Sequence, residues 1–70
     1  GIMMKPGFLV VHMHGKDNTI YTIEDIDTIN EVATIKTFTK QNSKKISLSN
    51  IREALDEEVL IGFRLNTKGS

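Results

Sequence analysis

Two histidines separated by one residue form the sharpest local motif in the chain. His12 and His14 are the only histidines, and the sequence contains no cysteine. Residues two apart on a β-strand point to the same face, so both imidazoles could bind one zinc ion. Zinc needs at least a third ligand, which Asp17 or the same pair in a second copy of the chain would have to supply. The motif gives a hypothesis of metal-linked assembly, set against two ordinary histidines at a strand end.

A basic stretch could bind a charged partner. Between residues 36 and 52 there are five positive charges and no acid. These are Lys36, Lys40, Lys44, Lys45 and Arg52. Phe38 lies among them, and single-stranded nucleic acids are bound by such combinations, with cations on phosphates and rings on bases. Lysines on a hairpin also protect edge strands from aggregation. We predict that these six residues contact a partner, either a protein or a nucleic acid.

An acidic stretch lies just before the basic one. Between residues 24 and 31 there are four acids and no base, namely Glu24, Asp25, Asp27 and Glu31. Their spacing lacks the central glycine and terminal glutamate of a calcium-binding loop, which favours a solvated acidic turn. The formal net charge is zero, so the chain is neutral in sum but polarised along its length.

The sequence shows no arrangement typical of catalysis. No serine has an evident activating base, and there is no cysteine nucleophile. A chain of 70 residues forms one small domain and cannot also wall off a water-excluding pocket. We predict a protein that is not an enzyme and uses no cofactor. The predicted domain spans residues 1–70, with residues 1–6 as an N-terminal arm and residues 66–70 as a C-terminal tail.

Stretches rich in apolar and β-branched residues predict four strands in the first two thirds of the chain. They cover residues 8–14, 19–23, 31–39 and 45–48. Residues 24–27 are interpreted as a turn with Ile26 directed inward, and residues 40–44 as a hairpin loop. Apolar residues recur at every third position from Ile20 to Val32, but this spacing leaves no single helical stripe. A helix is therefore rejected there.

A short helix and a last strand complete the prediction. Ser49 or Asn50 is expected to cap a helix ending near Glu58, with Glu53 in the position that completes a capping box. The residues expected to be buried at helical spacing are Ile51, Ala54 and Leu55. Residues 59–65 are predicted as the last strand.

This order predicts a mostly β fold, a small five-stranded SH3-like antiparallel barrel with one short helix before the last strand. It resembles the SH3-like small barrels, which often place a short helical turn there. It is also similar to small flagellar-operon proteins of the FlbD type, in the turn at Gly15, the turn from Ile26 to Ile29 and the strand at Lys44-Lys45. The alternative is an α+β open sheet with the helix on one face, because the connection over residues 49–58 reaches the minimum length for a parallel crossover.

An excess of apolar surface predicts self-association. Both faces of residues 59–63 are apolar, and the first strand carries Phe8 and Val10 on the face opposite Leu9 and Val11. A small barrel has only one inside, so some of this surface is expected to contact another chain. The predicted interface residues are Phe8, Val10, Leu60 and Phe63.

We therefore predict a non-enzymatic interaction or regulatory module that binds protein partners and forms a homo-oligomer. The alternatives are a nucleic-acid-binding small barrel that uses the basic stretch, and a metal-linked assembly through His12 and His14. No apolar run reaches the ~20 residues of a membrane span, so no membrane association is expected. The absence of cysteines and of Asn-x-Ser/Thr sites fits a cytoplasmic location.

Overall fold

In a computed structural model, which describes residues 4–37 and 42–65, the described strands form one antiparallel sheet. They are β1 Leu9–His12, β2 Tyr21–Asp27, β3 Val32–Lys36, β4 Lys44–Ser47 and β5 Ile51–Glu53, in the spatial order β4-β3-β2-β1-β5. A 3₁₀ turn, Leu48–Asn50, joins β4 to β5, and helix α1, Asp56–Ile61, follows β5. The sheet is not closed into a barrel over these residues, so the fold is a mostly β open sheet with one short helix.

The predicted order of the last two elements is wrong, because the last strand precedes the α-helix. Residues 51–53 form a strand that pairs with β1, and Ile51 fills the core opposite His12. Residues 59–61, predicted as a strand, belong to α1. This helix begins with three acids, which suit the positive end of the helix dipole. It ends at Gly62, whose φ of 85° is the left-handed geometry that glycine adopts most readily.

Strand β2 continues through the segment that was predicted as a turn. Its pairing with β3 shifts register between Ile23 and Asp25, which marks a β-bulge at Glu24. One extra residue changes the spacing on a face from two to three, so Ile23 and Ile26 both lie on the core side. The bulge explains the three-residue spacing of this pair. The actual turn follows at residues 28–31 and is held by Asp27 Oδ1, which accepts from the amide of Ile29 at 3.0 Å.

The core occupies one face of the sheet. Its fully buried members are Val10, Ile23, Ala33, Ile35 and Ile51. Phe8 packs against this cluster, so the even-numbered face of β1 is the inside. The prediction that Phe8 and Val10 form an intermolecular contact is therefore not supported, since both are used within the fold. Val11, on the opposite face, is also fully buried and pairs with Arg52.

The sheet is strongly curved. The ammonium group of Lys44 on β4 reaches within 3.3 Å of His12 Nε2 on β1, although β3 and β2 lie between those strands. Strands in a flat sheet are about 4.8 Å apart, so β4 and β1 would be separated by roughly 14 Å. The side-chain contact therefore requires a concave inner face.

The predicted ends of the domain lie mostly outside the described residues. From the N-terminal arm, Met4 is half-buried and packs against the core. Residues 66–70, the predicted tail, and residues 38–41, at the tip of the predicted β3–β4 hairpin, are outside the described part of the chain.

Candidate functional site

A cluster of polar side chains lies at one end of the concave face. Tyr21 donates from its hydroxyl to Asp17 Oδ2 at 2.5 Å, and the Lys44 ammonium lies 4.7 Å from the centre of the Tyr21 ring. Asp17 Oδ2 also lies 3.4 Å from His12 Nε2 and 3.9 Å from Lys44 Nζ. We call His12, Asp17, Tyr21 and Lys44 the polar cluster.

The strand register positions three members of this cluster. Tyr21 pairs with Val10, His12 with Ile51, and Lys44 with Ile35. Directly opposed residues in an antiparallel sheet share a face, and each of these partners belongs to the core. The polar cluster is therefore the continuation of the core face beyond its apolar part.

Asp17 enters the cluster from the loop between β1 and β2. Its Oδ1 accepts a hydrogen bond from the amide of Thr19 at 2.9 Å, a local turn that asparagine and aspartate commonly form. Burial disfavours the charged carboxylate, but the hydrogen bonds from Thr19 and Tyr21 outweigh it and hold the pKa of Asp17 well below its usual value. Asp17 is therefore an anion at neutral pH.

His12 and Tyr21 are shifted towards their neutral forms. Burial lowers the pKa of His12, and the Lys44 ammonium lowers it further against the opposing effect of Asp17. The Lys44 ammonium lies 3.3 Å from His12 Nε2 and, because an ammonium group can only donate, bonds this nitrogen in the tautomer that leaves it unprotonated. Burial, followed by the hydrogen bond to Asp17, raises the pKa of Tyr21.

The loop that carries Asp17 is held by Arg64. Its guanidinium donates to the carbonyl oxygens of His12 at 2.8 Å and Gly15 at 2.6 Å, and more weakly to that of His14 at 3.4 Å. The backbone amide of Arg64 donates to the carbonyl of Asn18 at 2.6 Å. The segment after α1 thus fixes the path of the β1–β2 loop.

The two histidines of the predicted metal site have different surroundings. His12 is half-buried in the polar cluster, while His14 is exposed. Asp17, the expected third ligand, does approach His12, but the Lys44 ammonium beside the same nitrogen opposes a bound cation. Residues 4–37 and 42–65 contain no group of three histidine, cysteine or acidic side chains able to hold a metal ion.

The basic stretch is divided among several intramolecular contacts. Lys36 forms an ion pair with Glu24 at 3.1 Å, and Glu24 also accepts from the hydroxyl of Ser43. Both contacts lower the pKa of Glu24, and the hydrogen bond from Ser43 has the larger effect. Lys44 belongs to the polar cluster, and Lys45 lies on the opposite face of β4. Two further predicted contact residues, Phe38 and Lys40, lie outside the described part of the chain.

Arg52, the last member of the basic stretch, binds a carboxylate within the fold. Its two terminal nitrogens donate to the two oxygens of the fully buried Glu58, each at 2.8 Å. Glu58 also accepts from the amides of Leu55 at 2.8 Å and Leu65 at 2.7 Å. One carboxylate therefore joins β5, the start of α1 and the segment that follows it.

Apolar side chains are exposed on and around α1. Leu60 is 85 % exposed, and four neighbours in sequence are each about half exposed. We define the apolar helix surface as Leu55, Val59, Leu60, Ile61 and Phe63. Two of these, Leu60 and Phe63, were predicted as interface residues. Phe63 also forms a single β-bridge with Thr19, which places it next to the β1–β2 loop.

Several important residues were not singled out from the sequence. Arg64 and Tyr21 carried no recognisable signal, because their partners lie far away along the chain or depend on the register. Glu58 had a signal, since a glutamate three residues after a helix N-cap commonly accepts from the cap amide. The sequence prediction gave that signal to Glu53, five residues too early.

The fold and the site define a small antiparallel β protein with one exposed apolar helix. In the described part of the chain, no helix combines the length and apolar character needed to cross a bilayer. Comparisons with protein-family models, curated proteins and solved structures found no match.

Proposed function

We propose that this protein is a non-enzymatic interaction module that self-associates through the apolar helix surface and in that form binds protein partners. The observation that carries the proposal is the exposure of Leu60, 85 %, among four other half-exposed apolar side chains. Large apolar side chains exposed this close together in the sequence are typical of a contact surface.

A second copy of the chain is the occupant that fits this surface best. The apolar interior is small: in the described part of the chain the fully buried apolar residues are the five core members and Val11 on the opposite face of the sheet. Domains of this size commonly gain stability from oligomerisation. The formal net charge of zero adds no long-range repulsion between copies.

We also propose that the curved sheet is a partly open SH3-like barrel and that the protein is cytoplasmic. Three features support the barrel: β5 pairs with β1, a 3₁₀ turn immediately precedes β5, and Lys44 on β4 contacts His12 on β1. The cytoplasmic location rests on the composition of the sequence.

Light scattering of the purified chain at micromolar concentration tests the proposal. Self-association predicts a mass that is a multiple of the 7.9 kDa of one chain. A mass of 7.9 kDa at every concentration up to about 1 mM would remove the central claim, since an association that weak contributes only about 4 kcal/mol at the 1 M standard state.

Nucleic-acid binding stays a secondary prediction. Lys36 and Arg52 already have carboxylate partners, so fewer cations are available for phosphates than the sequence suggests. A gel shift at low salt tests it, with Lys44→Glu and Lys45→Glu combined as the variant. Binding that this double variant does not weaken would argue against the basic stretch.

A further inference from the structure

A groove lies beside the polar cluster and shares Tyr21 and Lys44 with it. It has a volume of about 460 Å³. Its described lining includes Tyr21, Lys44 and the fully buried core residue Ile35. The remaining lining consists of neutral hydroxyl and amide side chains, contributed by Thr19, Thr37, Asn42 and Ser43.

Charged groups of both signs lie at the groove: Lys44 is in its described lining, and the Glu24 carboxylate accepts from the lining residue Ser43. Within the described lining Lys44 is the single charged side chain, and it is 49 % exposed. Its nearest carboxylate oxygen, on Asp17, lies 3.9 Å away and already accepts from Tyr21 at 2.5 Å. The ammonium also lies 3.3 Å from His12 Nε2, and its remaining protons keep hydrogen-bonding capacity that a group in the groove can use.

An aromatic side chain and a few convergent polar groups are what small-molecule sites commonly contain. We propose that this groove binds a small organic anion, with its carboxylate or phosphate group on Lys44 and a planar apolar body against Tyr21. This site adjoins the apolar helix surface through the β-bridge between Thr19 and Phe63, but its described lining contains no residue of that surface, and it does not depend on self-association.

Chemical shifts of the amide groups, measured by NMR during titration, test the proposal. The probes are benzoate, phenyl phosphate and benzyl alcohol, which share a ring and differ in charge. We expect benzoate or phenyl phosphate to shift the amides around the groove at millimolar concentration, and benzyl alcohol to bind about tenfold more weakly or less, since a charge-assisted hydrogen bond is lost. Comparison of the two anions shows whether the site prefers carboxylate or phosphate.

Two lysine variants test whether the anion binds at Lys44. Lys44→Gln removes the charge from the groove, while Lys45→Gln removes the neighbouring charge from the other face of β4. We expect Lys44→Gln to weaken binding about tenfold and Lys45→Gln to change it less than twofold. Equal effects of the two substitutions, equal binding of benzyl alcohol, or no shifts with either anion at about 10 mM would each overturn the proposal.

Discussion

Arg52 and Glu58 form a two-pronged ion pair in which both guanidinium nitrogens lie 2.8 Å from the carboxylate oxygens. Arg52 extends from β5 and Glu58 from α1, so the pair fastens the helix to the outer face of the sheet. The glutamate is fully buried and makes two further hydrogen bonds to backbone amides. Its four acceptor contacts make it the central attachment of the C-terminal segment.

Replacing Glu58 by glutamine should destabilise the protein strongly. The substitution leaves Arg52 without its counter-charge and turns one acceptor into a donor facing other donors. Breaking a buried pair by changing one partner costs about 3 kcal/mol or more. Urea unfolding measures the free energy of unfolding, with Glu57→Gln, at the exposed neighbouring position, as the matched control. Equal stability of the two variants would contradict the role given to Glu58.

Because of Glu58, the free energy of unfolding should decrease as the pH is lowered through the acid range. Hydrogen bonds from Arg52, opposed by burial, lower the pKa of Glu58 from 4.5 to about 2. The unfolded chain therefore takes up a proton first, so the stabilising effect is complete above pH 4.5 and is lost as the pH falls towards 2. Urea midpoints measured from pH 7 to pH 2 follow this loss.

Glu58→Gln provides the control for that pH series. Asp17, Glu24 and Asp27 also have lowered pKa values and add to the slope in both proteins. The variant should therefore show a shallower decline than the wild type. If the urea midpoints of the wild type and of Glu58→Gln decline equally with falling pH, Glu58 does not contribute to the pH dependence of stability.

A charge placed at the centre of the apolar helix surface should prevent self-association. Leu60→Glu puts a carboxylate where the proposed contact excludes water, and an unpaired charge there is costly. We expect scattering to give the mass of a single chain. Ile29→Glu is the matched control, since Ile29 is 91 % exposed but lies in the β2–β3 turn. If both substitutions leave the mass of the wild type unchanged, the contact lies elsewhere.

Gly62→Ala should lower stability by about 1 kcal/mol. Gly62 has a φ of 85°, and no atom lies within 4 Å of the position that a β-carbon would occupy. The expected cost is therefore conformational, without a steric clash. Gly62→Asn should cost less, because asparagine tolerates the left-handed region better than alanine. Thermal unfolding followed by circular dichroism measures both, and equal losses would contradict this explanation.

The sequence predicted the β-rich class and the approximate places of β1, β3 and β4, but not the arrangement after residue 48. Ile51, Ala54 and Leu55 have helical spacing, and the pairing of residues 51–53 with β1 overrides it. The run Val59-Leu60-Ile61 is as apolar as a buried strand, and periodicity cannot distinguish the two over so few residues. The acids before it and Gly62 after it were the better signals for a helix.

The inner face of β1 was also assigned in reverse. The odd-numbered face, with Leu9, Val11 and Met13, is entirely apolar, while the even-numbered face ends in histidines. The core nevertheless takes the even-numbered face, because His12 reaches Lys44 and Asp17 across the curved sheet. Such partners become visible only when the curvature is known. The groove and the Arg64 contacts could not be predicted for the same reason.

The pairing of β1 with β5 has a consequence for the order of folding. Strands β2, β3 and β4 are joined by short connections and can pair soon after they are made, whereas Val10 meets Glu53 only after a loop of some forty residues closes. Ile51, brought in by that late step, completes the core. We therefore expect β2, β3 and β4 to pair first, and the later pairing of β1 with β5 to limit the folding rate. A chain ending before Ile51 would lack the strand that completes its core.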